Sequence, residues 1–172
     1  MPVSTITSNV WPTTASAKRG NPSQSAKIAV WLIEDNEPYR RRVKAAVNSC
    51  EEMTCSGDFG SVEAALAALK EDDAPDVILL DVGLPGVDGI TGLTQLKAVA
   101  GEMKVVILTV FDDRDRVFRA VCAGADGYLL KTSTAAQIGE AIREVSAGGA
   151  SLTPQIARNV LDPVSYTHLR AH

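Results

Sequence analysis

Residues Asp76–Leu80 read DVILL, and Asp81 follows them directly. An apolar run this short cannot make a buried helix, and it reads as a strand covered on both faces, as strands of a parallel sheet are. Lys27–Ile33 (KIAVWLI), Lys104–Leu108 (KVVIL) and Gly127–Leu130 (GYLL) repeat the signal, and Met53–Phe59 (MTCSGDF) is more polar, as an edge strand would be. Between these runs the apolar residues fall at helical spacing. Val43, Ala46, Val47 and Cys50 make one face, Val62, Ala65, Leu66 and Leu69 a second, and Ile138, Ala141, Ile142 and Val145 a third. Gly89–Val99 supplies a shorter helix, and another carries Val117, Ala120 and Val121 ahead of a turn bracketed by Gly124 and Gly127. Thr134 and Gln137 have capping-box spacing. The order is (βα) five times, which predicts an α/β fold: a doubly wound five-stranded parallel sheet with helices on both faces. Ser151–Leu161 is expected to add a short helix, with Thr153 as N-cap and Pro154 at its first position.

The whole chain has 172 residues, 45% hydrophobic and 22% charged, which suits one globular domain and excludes a chain disordered throughout. Its net charge of −4 argues against a surface that grips DNA or an anionic membrane by itself. Three cysteines (Cys50, Cys55, Cys122) lack zinc-type spacing and read as small buried hydrophobes of a reducing compartment. No stretch is long and apolar enough to span a membrane, and the first residues have no secretory pattern, so a cytoplasmic location is expected.

Both ends differ from the middle. Residues 1–26 are rich in Ser, Thr, Pro and Asn and read as a flexible tail, in which Trp11 has no supporting pattern. Residues 164–172, VSYTHLRAH, continue no helical pattern, hold both histidines (His168 and His172), and resemble the in-frame translation of a sequencing adapter. Without them the chain has no histidine for a triad, a metal site or a phosphohistidine. The expected division is therefore a tail (1–26), a folded domain (27–150), the start of a linker helix (151–163) and an extraneous string (164–172), with the natural chain continuing beyond Pro163.

In open α/β sheets, ligands bind beyond the carboxyl ends of the strands. Those ends here carry Glu34 and Asp35, Asp81, Thr109, and Lys131. Each alone has an ordinary reading as a helix cap, a strand terminator or a surface charge. Three acids, a hydroxyl and an amine spread over four strand ends in this order point instead to one site. Gly83, Pro85, Gly86 and Gly89 surround Asp81 and read as turn residues that also permit close backbone approach.

Lys27 to about Leu161 resembles the receiver domain of bacterial two-component response regulators. The likeness is carried by LIEDNE, ILLDVGLPGVDG, VVILTV and GADGYLLKTS, and AIREVSAGGASLTPQIARNVL is similar to the LuxR/NarL-type subfamily, in which a helix-turn-helix follows the receiver. Two departures are Glu34 in place of the more frequent Asp, and Thr132 where many relatives carry a cis-proline. The resemblance implies the flavodoxin-like receiver fold, a histidine-kinase partner, phosphorylation of Asp81, phosphorylation-linked homodimerisation, and DNA contact only through a C-terminal domain missing from this chain.

Elementary chemistry agrees with that mechanism. Mg2+ takes hard oxygen ligands and keeps several waters, so Asp35 and Asp81 are direct ligand candidates and Glu34 one through water. The Gly83 carbonyl is the additional ligand the resemblance implies. Asp81 then serves as carboxylate nucleophile, Lys131 pairs with a phosphoryl oxygen, and the Thr109 hydroxyl bonds another. Movement of Thr109 would shift the loop Val110–Arg116 and open space for Tyr128 to turn inward, a switch shared by Thr109 and Tyr128. Such a protein is a phosphoacceptor, not a turnover enzyme. The rivals are a stand-alone receiver that signals by protein docking and an Asp-nucleophile phosphohydrolase. The second would want an acid two residues after the nucleophile, where this chain has Gly83.

Overall fold

Successive side chains on a strand point to opposite faces, so a strand apolar at every position divides its side chains between two core layers. That division is seen throughout this computed structural model, which describes residues 26–84, 86–110 and 114–161. Residues 1–25 with Trp11, Pro85, residues 111–113 of the stretch expected to form the Val110–Arg116 loop (its last three residues, from Arg114, are helical instead), Asp162 and Pro163, and the string 164–172 with His168 and His172 lie outside the described residues. The elements are β1 (Ile28–Ile33), α1 (Glu37–Asn48), β2 (Met53–Phe59), α2 (Val62–Ala68), β3 (Val77–Leu80), α3 (Gly89–Val99), β4 (Lys104–Thr109), α4 (Arg114–Cys122), β5 (Gly127–Leu130), α5 (Ala135–Ser146), β6 (Ser151–Leu152) and α6 (Pro154–Leu161).

One layer gathers Val30, Leu32, Val77, Leu79, Val106, Leu108 and Leu129 under Val43 and Val47 of α1 and Ile138, Ile142 and Val145 of α5. The other gathers Trp31, Ile33, Ile78, Leu80, Val105 and Ile107 under α2, α3 and α4, with Ile156 of α6 fully buried there. Each fully buried aliphatic side chain stabilises the fold by about 1.5–3 kcal/mol relative to exposure, before chain entropy is counted.

The sheet is parallel in every pair, in the order β2-β1-β3-β4-β5-β6. β2 is an edge strand, as its polarity predicts. The connection after β1 runs toward β2 and the one after β3 runs toward β4, so the carboxyl ends of β1 and β3 flank the switch-point crevice.

The structure corrects several expectations. The sheet has six strands, not five, because Ser151 and Leu152 pair in parallel with Gly127 and Tyr128 rather than opening the last helix. Gly127 permits this: a β-carbon there would lie 2.9 Å from the Ser151 carbonyl oxygen. The helix begins at Pro154, and Thr153 precedes it as expected, but its Oγ1 is buried without a hydrogen-bond partner; only its carbonyl serves the helix, accepting Ala157 N–H at 2.9 Å. Val121 is exposed on α4 beside Phe118, since Val117 and Ala120 alone supply the buried stripe. Cys122 is exposed too, and Cys50 and Cys55 are only half-buried. The capping box of Thr134 and Gln137 is present. No helix among the described residues is long and apolar enough to cross a membrane.

Candidate functional site

Where β1 ends, Glu34 stays buried (1% exposed) and Asp35 is exposed. Asn36, not Asp35, caps α1: its Oδ1 accepts the Tyr39 N–H at 3.0 Å, with Pro38 in the first turn. That leaves the Asp35 carboxylate for another use. Glu34 Oε1 accepts the Asn36 N–H at 2.9 Å, and Arg40 Nη1 donates to the Glu34 carbonyl at 2.6 Å. Arg40 also lies 3.8 Å from Asp58 of β2, so it ties the β1–α1 loop to the sheet edge.

Beyond β3, Asp81 is 5% exposed, and its Oδ1 accepts the Gly83 N–H at 2.9 Å. Lys131, after β5, brings Nζ to 3.1 Å from Asp81 Oδ2 and 2.5 Å from Glu34 Oε2. Buried charge is costly unless paired, and this ammonium is what pairs both carboxylates. Burial pushes the Glu34 carboxyl up, against the pull of Lys131 and the Asn36 N–H; the nearby Asp81 charge adds to the rise. For Lys131, burial pulls the ammonium down, but the Glu34 bond and the Asp81 charge outweigh it and hold the group above its usual value.

Glu34, Asp35 and Asp81 each offer a carboxylate oxygen, all within 4.8 Å of one another. Three carboxylates against one ammonium leave the cluster short of positive charge. An all-oxygen donor set of mixed burial opening on solvent suits a hard divalent cation that keeps waters, so these residues fit such an ion. Gly83, expected to lend its carbonyl, is exposed in the same loop.

β4 lies between the strands that lead to Asp81 and Lys131, and Thr109 at its end is fully buried, its carbonyl accepting the Lys131 N–H at 2.7 Å. Tyr128 lies in the layer of Ile107, Val117, Ala120 and Ile156 and is 1% exposed. No peptide bond among the described residues is cis, so Thr132 follows Lys131 through a trans bond.

The sequence model of the response regulator receiver domain matches residues 30–143. The chain belongs to the response regulator receiver family. This receiver is 37% identical over 142 residues to the transcriptional regulatory protein LiaR of Bacillus subtilis strain 168, covering 81% of the chain and 66% of LiaR. It thus spans about two thirds of the length of that relative. Among solved structures it resembles the receiver domain of NarL from Mycobacterium tuberculosis (TM-score 0.68, 29% identity, covering 72% of this chain and 99% of that one). Its fold also matches a LuxR-family response regulator from Aurantimonas sp. SI85-9A1 (TM-score 0.76, 23% identity, covering 81% and 99%). The relatives are regulators of the LuxR/NarL type.

Of the residues singled out in the sequence, Glu34, Asp35, Asp81 and Lys131 come together here, while Tyr39 and Arg40, which contact Lys131 and Glu34, were missed. Tyr39 had a signal: it lies four residues before Val43, on the apolar stripe already read for α1.

Proposed function

We propose that this receiver accepts a phosphoryl group on Asp81 from a histidine-kinase partner, and that the phosphorylated form controls a DNA-binding output segment lying beyond this chain. The carrying observation is the setting of Asp81 at the switch-point crevice. One carboxylate oxygen holds the Gly83 N–H, the other faces Lys131, and two further acids stand within 4.8 Å. A Mg2+ ion held by Asp35 and Asp81, by Glu34 through water and by the Gly83 carbonyl would neutralise charge on the incoming phosphoryl group.

The rest is the work of the side chains. An Asp81 oxygen forms the new bond to phosphorus as the bond from phosphorus to the kinase imidazole nitrogen breaks, and that nitrogen keeps the electron pair. Lys131, already 3.1 Å from Asp81, meets a phosphoryl oxygen as a compact point charge. The Thr109 hydroxyl takes another, coupling the site to α4 and Tyr128. Transfer of this kind needs position and electrostatics more than covalent help from the protein. Gly83 at the second position after Asp81 supports a phosphoacceptor rather than a phosphohydrolase. We place the end of the receiver at Leu152, where the sheet ends, with α6 as the start of the linker.

The test is intact-mass analysis of the full chain with Mg2+ and acetyl phosphate. The parent is expected to gain one phosphoryl group and Asp81→Asn none; equal labelling of the two would remove Asp81 as the acceptor. Cytoplasmic location and phosphorylation-linked dimerisation belong to the same reading, and sedimentation with and without phosphodonor tests the latter.

A further inference from the structure

Tyr39 touches both ends of Lys131, a residue 92 positions away. Its ring centroid lies 4.9 Å from Lys131 Nζ, within the range at which an ammonium is attracted to an aromatic face. Its hydroxyl faces the Lys131 carbonyl oxygen across 3.4 Å, a long bond and therefore the weaker of the two contacts. The Asn36 cap fixes where this side chain leaves α1, four residues after Asp35. The ring is thus set by the same turn that presents the acids.

Filling the core does not account for it. Tyr39 is half-buried at the margin of the α1–α5 layer and lines an open groove of about 520 Å³ with Arg42, Ala46, Thr134 and Ile138. A smaller side chain would enlarge a groove that is already open. What the ring does supply is a wall for a flexible ammonium. Lysine reaches its partners on a four-carbon stem with little preorganisation of its own. Here Nζ must stay between Glu34 Oε2 at 2.5 Å and Asp81 Oδ2 at 3.1 Å, beside a groove into which the stem can swing. The aromatic face opposes that swing. The Arg42 guanidinium lies 5.0 Å from the same ring and has no such carboxylate pair among its described contacts.

We propose that Tyr39 is a positioning residue for Lys131: its ring holds the ammonium at Asp81, so phosphoryl transfer to Asp81 depends on an aromatic face at residue 39. This rests on the reading of Asp81 as phosphoacceptor.

Two measurements on the full chain test it. The first is the proton chemical shift of the Lys131 ε-methylene with no phosphodonor present. The second is the rate of Asp81 phosphorylation by acetyl phosphate with Mg2+, in which the Asp81 oxygen bonds to phosphorus and acetate leaves. The parent should show the upfield displacement that an aromatic face imposes. Tyr39→Leu should abolish it and slow phosphorylation by about three- to tenfold. Tyr39→Phe should restore the displacement and most of the lost rate. A parent methylene with no ring displacement overturns the proposal, as does a Leu variant as fast as the parent. A Phe variant as slow as Leu would give the role to the hydroxyl and overturn it too. Should Tyr39→Leu fail to fold, Tyr39→Trp and the parent spectrum still decide, since indole offers the strongest face and should keep both displacement and rate. A parent that shows the displacement but takes no phosphate overturns the Asp81 reading, and with it the dependence of transfer on residue 39, while the contact between Tyr39 and Lys131 is confirmed separately.

Discussion

Gly89 lies so close to Val82 that a β-carbon at residue 89 would come within 2.3 Å of the Val82 Cα and 2.6 Å of the Asp81 carbonyl oxygen. Both neighbours are backbone or backbone-bound and cannot swing aside. The first turn of α3 therefore rests on the peptide that follows Asp81. Gly89→Ala is expected to cost about 1–3 kcal/mol, as overpacking does, read as a lower urea midpoint with unchanged slope. It should also slow labelling of Asp81. Gly101→Ala is the control, because its β-carbon would meet nothing nearer than the Lys97 carbonyl at 3.6 Å. Matching midpoints for the two variants would mean that the Asp81–Val82 backbone yields freely.

Asp88 supplies a pH-dependent part of the same helix start. Its Oδ1 accepts the N–H groups of Ile90 at 3.0 Å and Thr91 at 3.1 Å, and its Oδ2 the Thr91 hydroxyl at 3.0 Å. The Thr91 N–H bond is the largest influence holding this carboxyl below its usual range, and the Arg119 charge assists. A depressed carboxylate stabilises the fold above its unfolded pKa, and that contribution is lost as pH falls through the lower folded value. Asp88→Ala should cost about 1 kcal/mol near neutral pH. Asp88→Asn should keep most of the cap but flatten the acid limb of stability, measured as urea midpoints from roughly pH 7 to pH 3. An acid limb unchanged in Asp88→Asn would assign it to other carboxylates.

Shortage of positive charge among Glu34, Asp35, Asp81 and Lys131 predicts stabilisation by a divalent cation. Mg2+ at a hundredfold excess over its dissociation constant should stabilise the parent by about 2.7 kcal/mol, seen as a rise in melting temperature. Asp35→Asn should lose most of that gain. Lys131→Met should lower stability without metal by about 1–3 kcal/mol, because Glu34 and Asp81 are left unpaired, and should enlarge the gain from Mg2+. A parent whose melting temperature ignores Mg2+ would contradict the cation site.

The strands were legible because Val77–Leu80 and Val105–Leu108 are apolar at every position, and only burial on both faces accounts for that. The acids were legible because the switch-point rule tells a reader to look where β1 and β3 end. β6 was not: two residues carry no period, and what holds them beside β5 is the absence of a side chain at Gly127. Val121 was misread because α4 buries a stripe only as wide as Val117 and Ala120. The contacts of Tyr39 with Lys131 and Arg40 with Asp58 join elements that meet only after folding, so no local spacing announces them.

Thr109 and Tyr128 bear on how a phosphoryl group at Asp81 would be felt elsewhere. Tyr128 is buried in the same layer as Val117 and Ala120 of α4 and Ile156 of α6. A switch built on it therefore acts by fixing or releasing this packed arrangement, and α6 is the element positioned to pass the change on. Thr109→Val keeps the shape of a fully buried side chain and removes its hydroxyl. It is expected to accept a phosphoryl group on Asp81 while losing the change in hydrogen exchange across α4 and α6 that phosphorylation brings to the parent. Tyr128→Ala should cost about 3–5 kcal/mol, as large aromatic truncations do, and raise exchange in α6 before any phosphate is added. If Thr109→Val responds like the parent, the hydroxyl does not couple the site to α4. A change in exchange confined to the Asp81 loop would likewise separate phosphorylation from α6, and the route to an output segment would have to run over another face.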